Sequence, residues 1–175
     1  MTARSEVLLI GGRSGVGKSI VGNEMHAQLS AAGVRHCLIE GDNLDLAYPA
    51  PWNHGLGEMN LAAMWANYRA LGYRRMIYTN TASVIGRVIG ELTAALGDDP
   101  RVTAVLLTCS DATARHRLSQ REIGTALDWH VERSDLMARR LDERSPGWVQ
   151  RVATDGRTIA GIAAEVIGLA GWSAG

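Results

Sequence analysis

The stretch "VLLIGGRSGVGKS", Val7 to Ser19, decides the fold of this 175-residue chain. Its first four residues are apolar and run directly into glycines, a pattern that predicts a short buried strand leading into a loop. From Lys18 to about residue 32, apolar residues recur at helical spacing until Gly33, which predicts a helix starting at Lys18. The stretch therefore predicts a strand, a glycine-rich turn and a helix in immediate succession.

The turn carries the pattern Gly12-x-x-x-x-Gly17-Lys18-Ser19. In such a turn the backbone amides and the positive end of the helix dipole face a phosphate group, and glycines are needed because a Cβ atom would obstruct the approach. Lys18 is expected to reach the β- and γ-phosphates of a nucleotide, and the Ser19 hydroxyl to ligate Mg²⁺. The residues predicted to bind the nucleotide are Gly12, Arg13, Ser14, Gly15, Val16, Gly17, Lys18, Ser19 and Ile20.

The overall composition limits the kinds of molecule that this protein is expected to bind. The chain has 18 basic and 18 acidic side chains and a formal net charge of zero, so it offers no basic field to hold a nucleic acid or an anionic membrane. The apolar run near its start is too short for a signal peptide or a membrane span, which predicts a cytoplasmic protein. The length is typical of one domain with its own core. A small-molecule partner is therefore expected.

The rest of the chain alternates short apolar runs with amphipathic stretches. Strands are predicted at residues 34–42, 74–81, 102–110 and 148–154, with helices between them. The helix after the third strand is predicted to begin near Ser83, and residues 46–57 to form a long loop rich in Pro and Gly. This order predicts an α/β fold with a parallel sheet and helices on both faces. Ligands of such sheets lie at the carboxyl ends of the strands, here residues 11–19, 40–45, 79–81 and 108–111.

The position of the acidic residues distinguishes classes of nucleotide protein. GTPases and motor ATPases place a second carboxylate at the end of a hydrophobic strand. The third strand here ends "IYTNT" without an acid, and no Asn-Lys-x-Asp guanine signature occurs. The acids follow the second strand instead, in "LIEGDNLD", where a carboxylate can accept a proton from an acceptor hydroxyl. This favours a kinase over a hydrolase, with Asp42 as the main candidate and Glu40 and Asp45 as lesser ones.

Three short segments together resemble the P-loop small-molecule kinases: Gly12–Ser19, the "EGDNL" of Glu40–Leu44 and the "RHRLSQRE" of Arg115–Glu122. That superfamily includes the adenylylsulfate, gluconate and shikimate kinases and chloramphenicol phosphotransferase. The tunicamycin-resistance ATP-binding proteins are similar too, mainly in the phosphate loop, the tryptophan-bearing helix and the C-terminal "TDGRTIAGIAAEV". The resemblance implies ATP and Mg²⁺ as cofactors. It also implies a P-loop NTPase three-layer sandwich whose five-stranded parallel sheet has the order 2-3-1-4-5.

The resemblance also assigns roles outside the phosphate loop. It implies that Asp42 binds or deprotonates the acceptor hydroxyl. It implies further that Arg117 or Arg121, near a lid around residues 119–130, neutralises charge that develops during transfer. Arg115 is one alternative to these arginines, and Arg133 is another.

Two further implications concern the loop near the base and the cysteines. Asp155 and Gly156 match a loop that borders the adenine in similar proteins, where backbone atoms usually read the base. In the strand order 2-3-1-4-5, Cys37 and Cys109 lie three strand spacings apart, about 14 Å. A disulfide needs Cα atoms within about 7 Å, so both cysteines are predicted to be free, buried thiols.

The acceptor is expected beside the long loop. Ring-bearing side chains near the predicted pocket, which suit a ringed and partly apolar small molecule, are Trp52, His54, Trp65 and Tyr68. Trp52 lies in the loop and is the candidate for ligand contact, whereas Trp65 is expected in the core. Thr79 and Asn80, at the end of the third strand, are candidates for hydrogen bonds to the acceptor.

Two functions follow from these residues. The first is an ATP-dependent phosphotransferase acting on a small hydroxylated molecule. The second is an ATP-binding protein that sequesters or senses a small ligand without phosphorylating it. Nucleoside, sugar acid, sulfonucleotide and antibiotic ligands are all compatible with the sequence.

Overall fold

The computed structural model describes residues 4–120 and 126–172. Within them the strands are β1 (Glu6–Gly11), β2 (Cys37–Glu40), β3 (Arg75–Thr79), β4 (Arg101–Thr108) and β5 (Gln150–Ala153). The helices are α1 (Lys18–Ala31), α2 (Leu56–Ala70), α3 (Gly86–Leu96), α4 (Asp111–Ser119), α5 (Ala126–Arg144) and α6 (Ile159–Ala170). None of the helices in these residues has the length and apolar character needed to cross a membrane.

The strands form one parallel sheet. β1 lies at its centre and pairs with β3 and β4, and the full order is β2-β3-β1-β4-β5, which confirms the predicted order. In the register, Thr79 at the end of β3 is the partner of both Ile10 on β1 and Glu40 on β2. The carboxyl ends of these three strands therefore lie side by side. The phosphate loop, the turn of Asp42 and Asn80 follow them at the same edge.

Helices cover both faces because side chains alternate along each strand. On β1, Val7 and Leu9 pack into a cluster with residues of α2 and α3, whereas Leu8 and Ile10 pack into a second cluster with residues of α1 and α6. Trp65 of α2 is 1% exposed and lies in the first cluster, so it is a core residue as expected. Each fully buried Val, Leu or Ile side chain of these clusters stabilises the fold by roughly 1.5–3 kcal/mol.

Two boundaries differ from the sequence-based predictions. Helix α3 begins at Gly86 and not at Ser83, because the Ser83 amide donates to the carbonyl oxygen of Asn80 at 3.3 Å and so closes a turn. The loop predicted for residues 46–57 is shorter than expected, since α2 begins at Leu56. The turn before α3 lies at the edge of the sheet that carries the site, because it connects the end of β3 to that helix.

The two cysteines are free, as predicted, but they differ in accessibility. Cys37 is buried on β2, whereas Cys109, after β4, is only half-buried. Burial raises the pKa of the Cys37 thiol to about 12, so it carries almost no reactive thiolate at neutral pH. We expect DTNB to modify Cys109 in the native protein and Cys37 only after denaturation. Cys109→Ser should remove the native reaction; rapid modification of both thiols in the native protein would contradict the burial of Cys37.

Candidate active site

The loop of residues 12–17 connects β1 to α1 and depends on glycine. Gly12 has a φ of +153°, and a Cβ atom placed there would lie 2.7 Å from Cγ1 of Val16 and 2.8 Å from the carbonyl oxygen of Leu107. A side chain at this position would displace the loop. Gly17 has a φ of +104° and immediately precedes the first helical residue. Because glycine has no side chain to cap the helix, the first amides of α1 stay open to an anion.

Lys18 folds back over this loop. Its side chain is 9% exposed, and its Nζ donates to the carbonyl oxygens of Gly12 at 3.0 Å and Arg13 at 3.4 Å. It is also the only lysine in the chain, every other basic side chain being arginine. A lysine ammonium is a compact cation with three donors that can turn toward phosphate oxygens. The amino-acid composition alone therefore indicated that a lysine is specifically required at position 18.

Ser19 and Glu40 meet between α1 and β2. The Ser19 hydroxyl donates to Oε2 of Glu40 at 3.0 Å. Side chains alternate along β2, so Glu40 faces α1 together with Leu38, which packs against the cluster of α1 and α6. From the sequence Glu40 ranks below Asp42, whereas in the structure it is the acidic partner of the predicted Mg²⁺ ligand. Among the described residues no three His, Cys, Asp or Glu side chains form a metal cluster.

Asp42 stands on the short turn after β2 and is held by the segment after β3. Its Oδ1 accepts hydrogen bonds from Nδ2 of Asn80 at 2.8 Å and from the amide of Thr81 at 3.3 Å. The carbonyl oxygen of Thr81 accepts a hydrogen bond from the amide of Gly12 at 3.2 Å. Thr81 thus contacts both the carboxylate and the first glycine of the phosphate loop. This contact places an exposed carboxylate directly beside the loop.

The turn of Asp42 packs against Tyr78 of β3. A Cβ atom at Gly41 would lie 2.4 Å from the Tyr78 hydroxyl oxygen, so only glycine fits there. Burial raises the pKa of Tyr78, and the nearby carboxylates of Asp42, Glu58 and Asp45 raise it further. The tyrosine is therefore neutral and the surroundings are acidic. The sequence-based assignment of the site included neither Gly41 nor Tyr78, although a glycine directly before the candidate acid was a usable sign.

The residues predicted to contact the phosphoryl acceptor differ in exposure. Thr79 is 1% exposed, and its Cγ2 lies 3.0 Å from where a Cβ of Gly22 on α1 would be, so its hydroxyl is buried away from an acceptor. Asn80, the next residue, is half-buried and reaches Asp42. Trp52 lies in a short 3₁₀ turn and is 73% exposed. The structure thus favours Asn80 over Thr79 and leaves the Trp52 indole accessible to a ligand.

The side chain of Arg13 points away from the position expected for a nucleotide-binding residue. It is 3% exposed; its Nε donates to Oγ of Ser134 at 2.9 Å, and its guanidinium pairs with Asp111 of α4 and Asp135 of α5. Oγ of Ser134 donates in turn to the carbonyl oxygen of Ser14 at 2.9 Å. Only the backbone of Arg13 is left for a phosphate. These partners lie 98 to 122 residues along the chain, so sequence patterns could not reveal them.

Replacing Arg13 with glutamine should therefore weaken the fold. We expect a loss of about 2 kcal/mol, within the range of hydrogen bonds to charged groups, and a fall in Tm of roughly 4–8 °C by calorimetry. Arg4→Gln is the matched control, because it removes the exposed Arg4–Asp99 ion pair, whose contribution should be small. Equal falls in Tm for the two variants would contradict the structural role of Arg13.

Arg117 of α4 approaches the phosphate loop from its carbonyl side. Its Nη1 donates to the carbonyl oxygens of Val16 at 3.0 Å and Gly15 at 3.4 Å, and to Oγ1 of Thr154 at 3.2 Å. The N–H and C=O groups of a trans peptide point in opposite directions, so Arg117 lies opposite the amides that would face a phosphate. In this structure it supports the loop from behind. Arg121, within the predicted lid, lies outside the described residues.

Asp155 joins the loop after β5 to the start of α4. Its carboxylate accepts hydrogen bonds from Oγ1 of Thr113 at 2.5 Å, from Oγ of Ser110 at 3.0 Å and from the Ser110 amide at 3.1 Å. The Thr113 hydroxyl and these Ser110 bonds hold the pKa of Asp155 below its ordinary value. Gly156, with a φ of +65°, turns the chain beside it. The Asp155 side chain is therefore engaged within the protein, and the backbone of this loop is what remains for a base.

The strand order and the loop between β1 and α1 define a P-loop kinase-like fold, and comparison with solved structures agrees. No protein-family model matches the sequence, and no curated protein matches it. A sugar kinase from a Janibacter species matches with 15% identity and a TM-score of 0.68, over 97% of this chain and 96% of that one. A Deinococcus radiodurans tunicamycin resistance protein matches with 17% identity and a TM-score of 0.65, over 97% and 98%.

A Mycobacterium tuberculosis APS kinase in complex with AMPPNP and APS matches with 20% identity and a TM-score of 0.63, over 95% of this chain and 97% of that one. A gluconokinase and a shikimate kinase are also among the matching structures. These neighbours share the P-loop small-molecule kinase-like fold, which confirms the resemblance found in the sequence. At such identities the likeness concerns the fold alone.

Proposed function

We propose that this chain is an ATP-dependent phosphotransferase that moves the γ-phosphoryl group of ATP to a hydroxyl of a small molecule. The observation that carries the proposal is the double contact of Thr81, whose carbonyl oxygen accepts from Gly12 and whose amide donates to Asp42. It brings a proton-accepting carboxylate next to a loop suited to phosphates. The kinases among the structural neighbours support the same class of reaction.

The residues present also fit Mg²⁺ bound together with a nucleotide. Mg²⁺ takes oxygen ligands, and in nucleotide sites it is usually held by one or two protein oxygens together with phosphates and water. Ser19 and Glu40 supply a hydroxyl and a carboxylate in contact at the start of α1. These two residues would hold the ion. When bound, Mg²⁺ neutralises phosphate charge and orients the group to be transferred.

Individual residues of the chain then have separate roles in the proposed reaction. Amides of the loop after Gly12, whose own amide donates to Thr81, and of the first turn of α1 bind phosphate oxygens, and Lys18 exchanges its carbonyl partners for the β- and γ-phosphates. Asp42, with Oδ1 anchored by Asn80 and Thr81, accepts the proton of the acceptor hydroxyl as that oxygen attacks phosphorus. A bond forms between the acceptor oxygen and the γ-phosphorus. The bond from that phosphorus to the bridging oxygen breaks, and ADP leaves with that oxygen.

Two further segments complete the proposed nucleotide site within a single domain. Residues 119–130 serve as a lid, with Arg121 as its cation near the transferred group and Arg117 supporting the loop from behind. Backbone atoms at Asp155 and Gly156 border the adenine. The hydrogen bonds that the Asp155 carboxylate accepts from Ser110 and Thr113 support this role, because they hold the loop against the helix that carries Arg117.

The test is to measure ADP release from Mg–ATP with a panel of nucleosides, sugars, sugar acids and antibiotics, together with mass spectrometry of the acceptor. ADP release that depends on an acceptor and yields a phosphorylated product would support the proposal. ADP release at the same rate with and without every acceptor would indicate a plain NTPase and contradict it.

A second candidate is a protein that binds ATP and sequesters or senses a small ligand. Two observations favour it: the fold match to a tunicamycin resistance protein, and the exposed rings of Tyr48 and Trp52 in the segment between β2 and α2. Exposed aromatic rings can hold a partly apolar ligand without any chemistry. Tight binding of Mg–ATP with no ADP formed from any acceptor would favour this second function.

A further inference from the structure

Two histidines meet between α1 and the start of β2. His26 lies on α1 and is exposed, whereas His36 immediately precedes β2 and is 8% exposed. Nδ1 of His26 is 2.9 Å from Nε2 of His36, and Nδ1 of His36 is 2.7 Å from the carbonyl oxygen of Val34. Neither histidine belongs to the phosphate loop or to the group around Asp42. We call His26 and His36 the histidine pair.

The carbonyl oxygen of Val34 fixes the protons of the histidine pair. A carbonyl oxygen can only accept, so Nδ1 of His36 carries a proton, and Nε2 of the neutral imidazole is then an acceptor. The contact between the rings therefore requires a proton on Nδ1 of His26. His26 can take up a second proton at its other nitrogen and still donate. Protonation of His36 at Nε2, in contrast, places two N–H groups face to face and breaks the contact.

The surroundings of His36 favour its neutral form. Burial lowers the pKa of His36 below its ordinary value; the bond to Val34 offsets this only in part, and His26 lowers the pKa further. Among the described titratable groups of α1, β2, β3 and the segment before β2, His26 is the one that acts on His36.

The charged side chains of the neighbouring segments have other partners within the described residues. These partners are Tyr73 for Arg35, Glu6 for Arg75 of β3, and Gln28 for Glu24 of α1. No described carboxylate is therefore in place to stabilise a cationic His36, and a proton added to this ring meets the N–H of His26.

The histidine pair shares an interface with the residues proposed to hold Mg²⁺. Ser19 and Glu40 form the other polar contact between α1 and residues 36–40 in the described part of the chain, at 3.0 Å. His26 follows Ser19 by two helical turns and so lies on the same face of α1, about 10 Å along the axis. His36 and Glu40 both face α1, because side chains alternate along a strand. Since a helix moves as a rigid element, a shift of α1 at His26 also displaces Ser19.

We propose that the histidine pair is a proton-sensitive contact between α1 and β2, and that protonation of His36 weakens the binding of Mg–nucleotide. The inference rests on the nucleotide site of the proposed function and adds the regulation of that site by pH. A proton on Nε2 of His36 forces the two imidazoles apart, and the shift of α1 opens the contact of Ser19 with Glu40. The two residues then hold Mg²⁺ less well.

The direction of the pH effect follows from the lowered pKa of His36. In an unfolded chain a histidine has a pKa of about 6.5, and in the folded protein the pKa of His36 is lower. The contribution of the histidine pair to stability is therefore complete above about pH 6.5 and is lost as the pH falls from there through the folded-state pKa. The binding of Mg–nucleotide should weaken over the same interval.

The variant His26→Gln tests the proposal because glutamine tolerates either state of His36. Its amide can donate to neutral His36 through nitrogen and, after rotation, accept from protonated His36 through oxygen. Between about pH 7.5 and 5.5, the Kd for Mg–ADP measured by calorimetry should rise roughly fivefold or more beyond the rise in His26→Gln, the lower end of couplings between sites. Protonation of ADP itself cancels in this comparison. His116→Gln, which changes an exposed histidine of α4, should behave like the parent protein.

A second measurement needs no variant. In the parent protein, the imidazole signals of His36 and the amide signal of Ser19 are followed by NMR as the pH is lowered from about 8 to 5. We expect the Ser19 amide to shift with the same midpoint as His36, below about pH 6.5. The amide of Gly90 on α3 is the reference and should not follow this titration.

The outcomes separate this inference from the proposed function. An equal rise in Kd for the parent protein and His26→Gln, or a Ser19 amide that does not follow His36, would overturn the inference while phosphotransfer stands. No binding of Mg–ADP to the parent protein at about pH 7.5 would contradict the nucleotide site and, with it, both the proposed function and its regulation by pH.

Discussion

Changing Asp42 to asparagine should lower acceptor-dependent ADP formation by roughly 10²- to 10⁴-fold, the contribution typical of one general base. Asparagine has nearly the same shape, and its Oδ1 can still accept the hydrogen bond from the Thr81 amide that holds Asp42 in place. Its side-chain amide cannot take up the proton of the acceptor. The affinity for Mg–ATP, measured by calorimetry, should be unchanged, because in the described part of the chain Asp42 is connected to the phosphate loop through Thr81.

Asp45→Asn is the matched control for this experiment. Asp45 is a second carboxylate on the same side of the sheet, near enough to Tyr78 to raise the pKa of that residue, and it has no contact with Thr81 or Asn80 among the described hydrogen bonds. A large loss in Asp42→Asn alone would identify Asp42 as the proton acceptor. Full transfer activity in Asp42→Asn would refute that role, and equal losses in both variants would assign the effect to the acidic surroundings as a whole.

Changing Lys18 to alanine should weaken Mg–ATP binding by roughly 10- to 100-fold. This range corresponds to one or two hydrogen bonds from a cation to phosphate oxygens. Lys18→Arg separates charge from shape: it keeps the cation, but the planar guanidinium replaces a compact ammonium at a position that is only 9% exposed. We expect Lys18→Arg to recover only part of the lost affinity. Calorimetry that shows unchanged affinity in Lys18→Ala would contradict the assignment of this loop to a nucleotide.

The composition of the chain allows an independent measurement on the unmodified protein. Because Lys18 is the only lysine, an amine-acylating reagent can modify just this side chain and the terminal amine. Saturating Mg–ATP should protect Lys18 from acylation and leave the terminal amine reactive, which serves as the internal control. Acylation of Lys18 at the same rate with and without Mg–ATP would count against a contact between the two.

Local sequence patterns predict the positions of the strands and helices but not the order of the strands in the sheet. Each strand and helix depends on the apolar spacing and the glycines within about ten residues, so their sequence positions could be predicted closely. The boundary at α3 was missed because Ser83 forms a hydrogen bond to Asn80, and turn and helix are close alternatives at that point. The order β2-β3-β1-β4-β5 followed from the resemblance to P-loop kinases and not from periodicity, which says nothing about which strands are neighbours.

Most contacts within the candidate site depend on residues that lie far apart in the chain. Asp42 and the phosphate loop could be named from the sequence because each belongs to a short contiguous motif. Three other features could not be predicted from the sequence. The Ser19 hydroxyl bonds to Glu40, Thr79 is buried beside an accessible Asn80, and the Arg13 side chain contacts α4 and α5. Each of these depends on which face of a strand a residue occupies and on which distant helix packs there.

The sequence by itself therefore determined where this protein turns its backbone toward a phosphate, since glycine spacing and helix start act over a few residues. The tertiary structure alone decided which side chains meet at the carboxyl edge of the sheet. It set Thr81 between Gly12 and Asp42, and it brought His26 of α1 against His36. The physical reason is that contacts between residues far apart in the chain depend on strand order and helix packing, which local conformational preferences do not encode.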